Sequence, residues 1–181
     1  QMLLVRLPDK NAISELQKYN FGGYLLFAKD FKNKSEETVK NEINSYQKAS
    51  KIPLLMAADE EGGIVVRISS NKNLSAIPFK ASSQIYNNGG FEKIREDTLE
   101  KSNVLSNLGV NLNLAPVVDV STDSRDFMYK RALGQNAEIT SQYAKTVIET
   151  GKETGVSYTL KHFPGYGNNT DTHTEAAIDT R

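Results

Sequence analysis

Short apolar runs alternate with segments of helical periodicity along almost the whole chain, and few folds can absorb such a pattern. Residues 2–5, 24–27, 54–58, 111–120 and 156–160 read as strands. Between the first two, Pro8 and Asp9 open a short helix with Ile13 and Leu16 inward, closed by Gly22–Gly23. Ser35 suits an N-cap, with Glu36 and Glu37 set against the helix dipole. Val39, Ile43 and Tyr46 then recur at helical spacing. Phe91, Ile94, Leu105 and Leu108 share one face of a later helix, and Ile139, Tyr143, Val147 and Gly151 line another. Five strand–helix alternations predict a parallel α/β architecture. Pro116 has no N–H, so it predicts a local break in the fourth ladder.

Two parallel α/β architectures compete. No dinucleotide fingerprint follows the first strand and no phosphate loop occurs, which argues against a nucleotide-binding doubly wound sheet. The polar residues favour a barrel. Asp59, Asp119 and the pair Lys161–His162 fall at the C-terminal ends of successive strands, the face on which barrel enzymes build their sites. A TIM-type (β/α)8 barrel takes roughly 250 residues. The 181 residues here therefore read as about its first five units, with 1–181 the N-terminal portion of one barrel domain. An open parallel edge predicts self-association.

Composition closes off several function classes. Basic and acidic residues balance at 22 each, so there is no electrostatic footprint for nucleic acid or anionic membrane. Cysteine is absent, which excludes disulfides and thiolate metal sites. No apolar run approaches a membrane span. The chain shows no targeting signal, and both a cytoplasmic and a secreted bacterial location stay open.

The only two histidines fall within one stretch, residues 161–173. Asp171-Thr172-His173 sets a carboxylate beside an imidazole, an arrangement that suits a general acid/base. Lys161 and His162, delivered by the fifth strand, form a candidate substrate grip.

Four ordered motifs carry a resemblance. They are Asp59-Glu-Glu-Gly-Gly-Ile-Val-Val-Arg67, Asn113-Leu-Ala-Pro-Val-Val-Asp119, Lys130-Arg-Ala-Leu-Gly134, and Lys161-His-Phe-Pro-Gly165 with Asp171-Thr-His173. Together they resemble glycoside hydrolase family 3, in its NagZ-type β-N-acetylhexosaminidase branch. The resemblance implies a barrel and retaining hydrolysis of terminal β-linked N-acetylglucosamine, with no metal and no cofactor. It implies that Asp59 binds hydroxyls of the terminal sugar, that Arg67 and Arg131 frame the pocket, and that Lys161 and His162 grip from the far side. His173 would be the acid/base, held by Asp171.

Departures from the family pattern are Glu60, where Gln is common, Tyr166, where His is common, and a shorter loop before Asp171. Asp119 reads as orienting an Arg or Lys, and Tyr166 as either stacking on a sugar or shielding the loop. The family's nucleophilic aspartate is expected beyond Arg181, which would leave this stretch inactive alone. A family 3 β-glucosidase and a non-catalytic sugar-binding or assembly module are the alternatives.

Overall fold

The computed structural model describes residues 1–167, 169–172 and 174. Among these residues five strands, β1 (Leu4–Arg6), β2 (Gly23–Leu26), β3 (Leu55–Ala58), β4 (Leu112–Asn113) and β5 (Ser157–Tyr158), form one sheet in the order β1-β2-β3-β4-β5. Every pairing is parallel. Each strand lies beside its sequence neighbour, as successive units of a (β/α)8 barrel do. A doubly wound sheet would reverse direction at a switch point. The fold is thus the expected α/β one, covering part of a TIM-type barrel.

Among the described residues six helices join the strands: α1 (Ala12–Tyr19), α2 (Ala28–Phe31), α3 (Glu36–Ala49), α4 (Ser82–Asn87), α5 (Gly90–Leu108) and α6 (Ala137–Thr154). Ser35 caps α3 as expected, accepting from the Thr38 N–H at 3.2 Å. Asn136 does the same for α6, accepting from Ile139 at 3.0 Å. The main core lies between the sheet and α1, α3 and α5, where Leu16, Tyr24, Leu26, Ile43, Met56 and Leu105 are buried. A smaller cluster of Ile94, Leu133, Tyr143 and Val147 joins α5 to α6.

Several boundaries differ from the sequence reading, each for a physical reason. The first helix starts at Ala12, after a left-handed Asn11, and Ile13 is 38% exposed rather than inward. Asn20, also left-handed, ends that helix, so Gly22–Gly23 is not its stop. Gly23 opens β2 instead, because a Cβ there would sit 1.9 Å from the Leu55 carbonyl oxygen. The fourth and fifth strands are shorter than expected. Pro116 interrupts the ladder, which resumes in a single parallel bridge, Val117 to Lys161. That bridge, with the Val118 N–H donating to the Lys161 carbonyl at 2.7 Å, brings the segments after β4 and β5 side by side.

Candidate active site

Two asparagines of the fourth strand region fasten the third strand and the turn after it. Asn111 Oδ1 accepts from the Met56 N–H at 2.8 Å, and its Nδ2 donates to the Leu54 carbonyl at 3.0 Å. Asn113, fully buried, brackets the peptide of Glu60, accepting from its N–H at 3.0 Å and donating to its carbonyl at 3.1 Å. A buried amide is stable only when its donors and acceptors are met in this way.

The turn itself is built on glycine. Gly62 and Gly63 have φ of 96° and 64°, and a Cβ on Gly62 would lie 2.2 Å from the Lys80 carbonyl. Asp59 and Glu61 are thereby held above the strand ends. The intervening Glu60 turns inward, and its carboxylate accepts from the N–H groups of Arg67 and Ile68 at 2.8 and 2.7 Å and from the Ser69 hydroxyl. Its work is to shape the loop that carries Arg67. The Arg67 guanidinium lies 5.7 Å from the Phe27 ring centroid and 3.9 Å from Asp59 Oδ2. Among the described residues its buried Nε has no hydrogen-bond partner.

Lys161 arrives from the Val117 bridge and spans both acids. Its Nζ lies 2.7 Å from Asp59 Oδ1 and 2.5 Å from Glu61 Oε1. Arg131 reaches the same Glu61 from a turn fixed by the buried Ala132 and Leu133. Its Nε donates to Oε2 at 2.9 Å and its Nη2 to Oε1 at 2.7 Å, a bidentate pair. Burial works to raise the Glu61 pKa, but the hydrogen bonds from Arg131 and the charge of Lys161 hold the carboxyl below its ordinary value. Arg131 is raised above its ordinary value, because Glu61 outweighs the opposing effect of burial.

Arg131 Nη2 also lies 3.3 Å from His162 Nε2. A guanidinium can only donate, so Nε2 is the acceptor there and Nδ1 carries the ring proton. That proton is donated to Asp119 Oδ2 at 2.8 Å. Asp119 accepts as well from the His162 and Tyr166 main-chain N–H groups, at 3.1 and 2.8 Å. Burial would push Asp119 up, yet these donors hold it below the usual carboxylate range. The expectation that Asp119 orients an Arg or Lys is therefore corrected: its partner is the histidine, placed at its side by the Val117–Lys161 bridge.

Tyr166 is only 8% exposed, with its ring edge-on to His162 at 5.0 Å and tilted against Phe127 at 5.3 Å. Its hydroxyl pairs with Thr172 Oγ1 at 3.1 Å, and its carbonyl accepts from Asn169 Nδ2 at 2.7 Å. It shields and ties down the loop rather than presenting a face for stacking. Asp171 stands in that loop, its carbonyl accepting from the Thr174 N–H at 3.0 Å. His173 lies outside the described residues.

The structure thus brings together Asp59, Arg67, Arg131, Lys161 and His162, residues up to 103 positions apart in sequence (162 − 59). Glu61 joins them as the anion shared by Lys161 and Arg131, a role the sequence reading missed. An open cleft of about 490 Å³ adjoins the group, lined by Asp119, Leu160, Lys161, His162, Phe163 and Tyr166. Carboxylates that accept and an ammonium and guanidinium that donate, all locked by mutual pairing, suit a ligand rich in hydroxyls.

Comparison with known proteins supplies the context. The model of the glycosyl hydrolase family 3 N-terminal domain matches residues 1–181. Beta-hexosaminidase A of Pseudoalteromonas piscicida is 30% identical over 178 residues, covering 96% of this chain and 29% of that protein. A beta-hexosaminidase of Photobacterium profundum is 29% identical over 167 residues, covering 92% of this chain and 48% of that protein. Native NagZ from Neisseria gonorrhoeae superposes with a TM-score of 0.79 at 25% identity, over 98% of this chain and 54% of that one. The chain spans about half the length, or less, of these relatives.

Proposed function

From the premise that this chain belongs to the glycosyl hydrolase family 3 N-terminal domain family, we propose that it carries the sugar-binding half of a retaining β-N-acetylhexosaminidase site. The substrate is a glycoside ending in β-linked N-acetylglucosamine. The observation that carries this reading is the continuous lattice Asp59–Lys161–Glu61–Arg131–His162–Asp119, drawn from four separate motifs onto one set of strand ends.

In this reading Asp59 accepts from neighbouring hydroxyls of the terminal sugar, Lys161 donates to the sugar, and His162 accepts from one of its hydroxyls through Nε2. Arg67, whose Nε has no partner among the described residues, and Arg131 frame the ring. Asp119 holds His162 in the Nδ1–H tautomer so that Nε2 faces the site. Hydroxyl contacts of this kind raise the rate when they tighten in the transition state.

The chemistry needs two further groups. A carboxylate attacks the anomeric carbon as the glycosidic C–O bond breaks, and an acid protonates the departing oxygen. We assign the acid to His173, with Asp171 steering it, and the nucleophile to an aspartate downstream of Arg181. In the second step His173 takes a proton from water as that water displaces the enzyme carboxylate from the sugar.

Steady-state turnover of aryl N-acetyl-β-glucosaminides by the full-length protein and its His173→Ala variant tests the assignment. Substrates with poor leaving groups, which need protonation, should lose far more rate than activated ones. Equal losses on both would remove His173 from the acid role, and faster turnover of β-glucosides would favour the glucosidase alternative.

A further inference from the structure

Beneath the turn that carries Glu61 lies a cation for which the site above has no use. Lys101 stands on the buried face of α5, in line with Ile94, Thr98, Leu105 and Leu108. It is 7% exposed at a position where helical spacing calls for an apolar side chain. Its Nζ donates to Asp97 Oδ2 at 3.0 Å, one helical turn back, and to the main-chain oxygen of Glu61 at 3.3 Å. The ammonium also lies 5.3 Å from the centre of the Phe79 ring.

Desolvating a lysine and an aspartate costs as much as their attraction returns, so an apolar pair of similar volume would serve stability as well. Something other than stability therefore argues for the lysine, and its contact identifies what. The backbone after Glu61 passes through two glycines with positive φ, the least self-constrained conformation a chain can take. A pocket of about 10 Å³ beside it, no larger than a single water, is lined by Glu61, Asp97, Lys101, Asn113, Tyr143 and Tyr158. Asn113 fixes the Glu60 peptide, and Lys101 is the side chain that holds the next carbonyl.

We propose that Lys101 is a positioning residue, anchoring the Glu61 main chain from below so that the Glu61 carboxylate meets Arg131 and Lys161 in register for the sugar. The proposal rests on reading the site as a sugar grip. Burial would lower the Lys101 pKa, but Asp97 and the nearby phenols raise it above the ordinary lysine value, so the anchor stays charged across neutral pH.

The test uses the full-length protein, 4-nitrophenyl N-acetyl-β-glucosaminide as probe, and the variants Lys101→Met, Lys101→Arg, Asp97→Asn, Glu61→Gln and Lys101→Met/Glu61→Gln. Lys101→Met should raise KM by about tenfold, the scale of one lost hydrogen bond to a charged group, with a smaller change in kcat. Lys101→Arg should restore most of that loss, and Asp97→Asn, which loosens the lysine without removing it, should shift KM the same way. In the Glu61→Gln background the further change from Lys101→Met should be under about twofold, because the group it positions is already gone.

Full, additive losses in that background would overturn the proposal, as would a lowered melting temperature with KM unchanged. If Lys101→Met does not fold, an unchanged KM in Asp97→Asn overturns it equally. No turnover by the unaltered protein would take the sugar reading down with it. An active protein whose Lys101→Met variant keeps its KM refutes the positioning role alone.

Discussion

Glu61→Gln is the substitution whose cost follows most directly from the geometry. The Glu61 side chain is 5% exposed, and its partners Arg131 and Lys161 are 16% and 14% exposed, so solvent screens the group weakly. The carboxylate takes two hydrogen bonds from Arg131 and an ion pair from Lys161. A glutamine keeps one acceptor and turns its NH2 toward groups that only donate. Removing one partner of a buried ion pair costs about 3–5 kcal/mol. The remaining acceptor and the nearby Asp59 carboxylate place the expected loss at the lower end, ~3 kcal/mol. In urea, with m of roughly 2 kcal/mol/M, the unfolding midpoint of this domain should fall by ~1.5 M.

The pH dependence has a definite sign. Glu61 sits below its ordinary pKa in the folded state. Its contribution is therefore full above the unfolded value, near ~4.3, and is lost as pH falls through the folded value. Glu61→Gln should remove that share of the acid limb. Glu153→Gln is the control, since the Arg95–Glu153 pair is 50% exposed on both sides and should shift stability by less than about 1 kcal/mol. A Glu61→Gln loss no larger than the control's would refute the claim that Glu61 holds the site together.

Two other substitutions report on different parts of the frame. Asp119→Asn should lower kcat/KM by about 10–100-fold, the equivalent of one charge-assisted hydrogen bond, because the His162 ring then loses the acceptor that fixes its tautomer; steady-state kinetics on the probe glycoside checks this. Gly62→Ala should destabilise by at least ~1–3 kcal/mol, combining a positive φ with a Cβ that meets the Lys80 carbonyl; thermal unfolding reads it.

The parallel order of the strands and the inner faces of the long helices were legible in the sequence, since period and length report burial directly. Ser35 was legible as a cap for the same local reason. The short fourth and fifth strands were not, because pairing past Pro116 depends on a partner 44 residues away (161 − 117). Asp59, Arg67, Arg131, Lys161 and His162 were singled out through motifs, whereas Glu61 was not, because its partners lie 70 and 100 residues on (131 − 61 and 161 − 61). Lys101 did leave a signal: it occupies the apolar stripe between Ile94 and Leu108 at helical spacing, although beside Asp97 it reads as an ordinary i,i+4 surface pair.

Calorimetric titration of N-acetylglucosamine into the full-length protein and its Asp59→Asn variant tests the sugar grip most directly. Asp59 should accept from the sugar where it now accepts from Lys161. The unaltered protein should bind the sugar, and the variant at least about tenfold more weakly. Equal affinity in the two, or no binding by either, would contradict the account.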